Sequence, residues 1–170
     1  METRKVVHMG MLIALAMVLS FIESQIPAFV AVPGMKLGLA NIAIVFALYS
    51  LGFREALCVS LIRVVLSAIL FGSVVSGLYS AAGAILSLLG MALLKKSGFF
   101  GTVGVSVSGA VLHNLGQIGV ACFILRTQAL VYYLPFLILS AVVSGVVIGI
   151  IAAVLVERLG GEEYGRRTEK

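Results

Sequence analysis

From Thr127 to Val156 the chain carries no charged side chain, and apolar residues dominate that whole length. An α-helix rises about 1.5 Å per residue, so roughly 20 such residues cross the hydrocarbon core of a bilayer. This run alone is long enough. Set against charges and breakers, similar runs predict helices over about residues 6–24, 37–52, 55–72, 75–94, 101–125 and 132–156. The second is short for a span, and the fifth is long and glycine-rich. Composition agrees: with 61% hydrophobic and 11% charged residues among 170, a soluble domain would lack the polar surface to cover itself. Continuous apolarity without two-residue alternation argues against a transmembrane barrel. The sequence therefore predicts an all-α integral membrane protein, a compact bundle of about six transmembrane helices in residues 1–157, with a polar tail at 158–170.

The opening "METRKVVHMGMLIALAMVLSFIES" imitates a signal peptide, with basic residues ahead of an apolar run. Its apolar part is longer than a usual signal core, and Gly10, Ala14, Ala16 and Ser20 suit helix packing. It reads as a retained first span. Six spans place both termini on one side, together with Arg4, Lys5, Arg54, Lys95, Lys96, Arg158, Arg166, Arg167 and Lys170, against Lys36 and Arg126 opposite. The positive-inside rule makes that side cytoplasmic, as for a multi-pass protein of a cytoplasmic membrane. Topology thus accounts for the net charge of +5, and no basic patch with interleaved aromatics suggests nucleic acid. Cys58 and Cys122 are isolated within apolar runs and read as packing residues. Small residues recur every fourth position at Ala141, Gly145, Gly149 and Ala153, and at Gly83 and Ser87, so neighbouring backbones can approach closely.

Polar groups inside the spans are few. Arg63 falls near the middle of the third run, where an unpaired charge is costly, so it should face the bundle interior or water. His113 and Gln117 lie four apart on one helical face, with Asn114 adjacent. Glu23 closes the first run, Asn41 opens the second, and Lys36 lies between them. Two readings stand. In one, Arg63 pairs with Glu23 or with helix carbonyls, while Asn41, His113 and Asn114 tie helices together. In the other, Glu23, Lys36, Asn41, Arg63, His113, Asn114 and Gln117 line an outward-opening pocket for a small molecule. Arg63, Lys36 and His113 outnumber Glu23, which favours an anionic ligand group.

Catalysis finds no support. The chain has no aspartate, so a DDxxD magnesium site is absent. No GxxxxGK[ST] loop, HExxH helix or GxSxG elbow appears either. The residues imply neither a metal nor a cofactor, and transport would need energy from a partner or an ion gradient.

The segments "MLIALAMVLSFIESQIP", "PGMKLGLAN", "LIRVVLSAILFG", "SGAVLHNLGQ" and "YYLP" together resemble the membrane family called heptaprenyl diphosphate synthase component I, or the Gx transporter family, across nearly residues 8–150. That family is similar to the substrate-binding S components of prokaryotic energy-coupling factor (ECF) transporters. The resemblance implies a six-helix bundle that binds a small molecule from outside. A lid over residues 26–36, hinged near Pro27 and at Pro33 and Gly34, would close on it. It also implies a surface on the first helix, centred on Gly10 and Ala14, for a transmembrane coupling subunit that works with ATPase subunits. Val18 departs from the alanine spacing expected there. The synthase name implies a second role, as a non-catalytic membrane accessory beside a prenyl synthase catalytic subunit.

Overall fold

The computed structural model describes residues 2–25 and 38–159. The expected lid residues Pro27, Pro33 and Gly34, together with Lys36 and the polar tail, lie outside the described residues. The described chain forms α1 (Glu2–Gln25), α2 (Asn41–Ser50), α3 (Phe53–Phe71), α4 (Val74–Ser97), α5 (Thr102–Leu125), a 3-10 turn (Ala129–Tyr133) and α6 (Leu134–Leu159). The fold is an all-α membrane bundle, as the apolar runs predict. Four segments are long and apolar enough to cross a bilayer: α1, α4, α5 and the 3-10 turn continued by α6. Large side chains on the outer faces, such as Ile69, Leu93 and Phe123, are exposed. Lipid is the solvent that suits such faces.

α1 and α3 run parallel and in register. Lys5 meets Glu55 at 3.4 Å, the Ser67 hydroxyl donates to Met17 Sδ at 3.7 Å, and the rings of Phe21 and Phe71 lie 5.5 Å apart. α4, α5 and α6 pack as an antiparallel sequence of neighbours, and glycine makes this possible. A Cβ on Gly83 would lie 2.6 Å from the His113 carbonyl oxygen, and one on Gly145 would lie 2.7 Å from Val107 Cα. These helices touch backbone to backbone.

α2 occupies the centre. Ile42, Ala43, Ile44, Val45, Ala47, Leu48 and Tyr49 are all buried, as befits a helix that is apolar all round. Its 10 residues give it a length of about 15 Å, half the hydrocarbon thickness. Gly52, with φ 117, bends the chain from α2 into α3 in a conformation that L side chains rarely adopt. Lys95 finishes the other side of that corner. Its ammonium donates to the Leu48 carbonyl at 2.7 Å and stands 4.6 Å from the centre of the Tyr49 ring. Lys5, Glu55, Lys95 and the α2 C-terminus therefore share one end of the bundle, hereafter its basic end.

Candidate functional site

At the opposite end, α1 closes with Glu23, which is buried although it is a carboxylate. In a helix the side chain leans toward the N-terminus, so Glu23 points back into the bundle. Its Oε1 accepts a hydrogen bond from the backbone N–H of Gly38, which ties the approach to α2 onto the end of α1. Gly38 has φ 77, and glycine is the residue that tolerates this. The turn closes with Asn41 N–H donating to the Gly38 carbonyl at 2.8 Å and Ile42 N–H to that of Leu39 at 3.1 Å. The N-terminus of α2 thus begins beside a buried carboxylate.

Arg63 stands at mid-height on α3, between Glu55 and Ser67 and therefore between the levels of Lys5 and Met17. The Glu23 carboxylate acts on its guanidinium electrostatically. Arg63 Nε is nevertheless enclosed with no hydrogen-bond partner among the described residues, while the rest of the side chain keeps partial exposure. A guanidinium offers donors in a fixed planar fork, so an enclosed donor without an acceptor is unusual and destabilising. Glu23 is thus tied to the turn that leads into Asn41 and α2, and it acts on Arg63 through space.

The polar residues of α5 form a second. Gln117 Nε2 donates to Ser80 Oγ of α4 at 3.5 Å, and the His113 ring lies against Gly83, its Cε1 falling 3.2 Å from where a Cβ would stand. Asn114 turns the other way and donates to the Leu137 carbonyl of α6 at 3.0 Å. His113 and Gln117 therefore face α4, and Asn114 faces α6. Gly10 and Ala14 are exposed on α1, and among the described residues nothing lies within 4 Å of a Cβ on Gly10. No group of three metal-ligating side chains occurs among the described residues.

Sequence reasoning missed the bond from Gly38 to Glu23, the Lys95 cap and a cavity of ≈ 590 Å³ between α1, α2 and α6. Only the cap had a signal, a lysine pair at the end of an apolar run.

These features define a class: a membrane-embedded helical component with buried polar groups and no recognisable catalytic set. The chain matches the family model of heptaprenyl diphosphate synthase component I over residues 12–155, and it belongs to that family. No curated protein and no solved structure matches it.

Proposed function

We propose that this chain is the substrate-binding component of an ECF-type uptake system in a prokaryotic cytoplasmic membrane, taking a small anionic molecule from outside. The observation that carries this reading is Arg63, a cation in the bundle interior whose Nε finds no acceptor among the described residues. An anionic ligand group would supply one. Glu23, Lys36, Asn41, His113, Asn114 and Gln117 complete the proposed site, residues 26–36 would cover it, and the exposed face around Gly10 and Ala14 would meet the coupling subunit. The basic end of the bundle faces the cytoplasm in this arrangement.

The family name supports a second reading: a non-catalytic accessory in heptaprenyl diphosphate synthesis. A diphosphate is anionic and would use the same guanidinium. Thermal-shift and native mass-spectrometry screens of the purified protein against anionic metabolites and isoprenyl diphosphates distinguish the two. Co-purification with a coupling subunit and ATPases supports transport, and co-purification with a prenyl synthase catalytic subunit supports the accessory role.

Arg63→Met tests the site in either case. Alone it removes a positive charge that acts on the buried Glu23 carboxylate, which should lower the stability of the bundle. The double variant Arg63→Met with Glu23→Gln removes both charges and should recover most of that stability while anion binding stays lost. Recovered stability together with retained binding would make Arg63 a strut rather than part of the site.

A further inference from the structure

The cavity between α1 and α6 belongs to none of these roles. Both helices pack on α2 yet make almost no contact with each other. A groove of ≈ 590 Å³ remains above the short central helix, within the range of about 300–1,000 Å³ that small-molecule sites occupy. Leu12, Ala43 and Leu51 are buried at its base, while Met11, Leu15 and Leu159 are exposed around it.

The groove is polar at one end only. His8, in the second turn of α1, and Ser50, the last residue of α2, are the polar side chains that line it. Both lie at the basic end, where Lys5 meets Glu55 and Lys95 meets the Leu48 carbonyl. Leu15, Ile42 and Phe46 line its deeper part. Ser50 Oγ is enclosed and has no hydrogen-bond partner among the described residues. Arg4, exposed, precedes His8 by one turn on the same face of α1. Arg54, Lys96 and Arg158 are exposed at that end as well.

We propose that this groove holds one acyl chain of an anionic membrane lipid from the leaflet at the basic end, its headgroup held by Ser50, His8 and Arg4. An apolar trough at a lipid-facing surface is filled by hydrocarbon, since a void forfeits the dispersion contacts of its lining. The enclosed hydroxyl gains an acceptor from the lipid ester or phosphate. The surrounding cations select an anionic headgroup over a zwitterionic one, as juxtamembrane basic residues do. Arg63 does not line the groove, so this inference is independent of the proposed transport site.

Native mass spectrometry of the full chain tests it, with phosphatidylglycerol and phosphatidylcholine of identical chains supplied in equal amounts. Phosphatidylglycerol should be retained about fivefold better for each basic side chain engaged. Arg4→Ala with His8→Ala should cut that preference by about fivefold or more. Leu155→Trp, which fills the groove, should abolish retention of both while the unfolding temperature holds, and Met11→Trp at the exposed rim serves if Leu155→Trp does not fold. Equal retention of the two lipids by the natural chain overturns the proposal. So does a folded groove-filling variant that keeps its lipid.

Discussion

A single methyl group on Gly149 should loosen the contact between α5 and α6. Its Cβ would fall 2.7 Å from Val103 Cα, 3.0 Å from Ser106 Cβ and 3.3 Å from the Val103 carbonyl oxygen. Non-bonded carbons rest at about 3.5–4.0 Å, so α6 must retreat by about 1 Å. The obstacle is backbone, which no rotamer change relieves. Overpacking of this kind costs about 1–3 kcal/mol, against which replacing glycine by alanine in a helix returns up to about 1 kcal/mol. Gly10→Ala is the matched control, because among the described residues nothing lies within 4 Å of a Cβ there. It collects the propensity gain without the crowding. The difference between Gly149→Ala and Gly10→Ala in unfolding free energy, measured in detergent and again in bilayers, should therefore be about 1–3 kcal/mol. Equal stability of the two variants would refute the close approach of α6 to Val103.

Lys95→Met should destabilise the bundle by about 1–3 kcal/mol in thermal unfolding, since it removes both the charged donor to Leu48 and the cation over Tyr49. Lys95→Arg should recover part of this. Asn114→Leu should cost only about 0.6 kcal/mol if the bond to Leu137 is its whole role, the usual size of such bonds within membranes. A loss of ligand affinity with unchanged stability would instead place Asn114 in the site.

The helical class was legible because only helices or closed barrels satisfy their backbone inside a bilayer, and the runs show no barrel alternation. The pairing of His113 with Gln117 on one helical face was legible from their spacing, but the sequence reading placed Asn114 in the same pocket, whereas it donates to α6 because one residue turns it away from that face. The second run was already short for a span, but the contraction of α2 to 10 residues was not legible. Leu39, Ala40 and Leu51 are as apolar as the helix they flank, and hydropathy does not register the positive φ of Gly38 and Gly52 that frames it. The groove is harder still. It arises from the spacing of α1 and α6 on α2, a relation between elements distant in sequence that no local pattern encodes.

The shortness of α2 bears directly on the charge balance at the other end. α2, a helix of 10 residues, begins beside the buried Glu23, and its N-terminus carries partial positive charge. Arg63 adds a full positive charge within electrostatic reach of the same carboxylate. Glu23 accepts from the Gly38 N–H and acts on Arg63 through space, while Arg63 Nε finds no acceptor among the described residues. An incoming anion would enter a region already biased in its favour, and Glu23 would hold that bias together in the empty state. The single Arg63 variant therefore mixes two effects, a changed charge balance at the buried carboxylate and a lost anion partner. Only the double variant separates them, because removing Glu23 with Arg63 takes away the carboxylate on which Arg63 acts and leaves the α2 terminus as a positive centre.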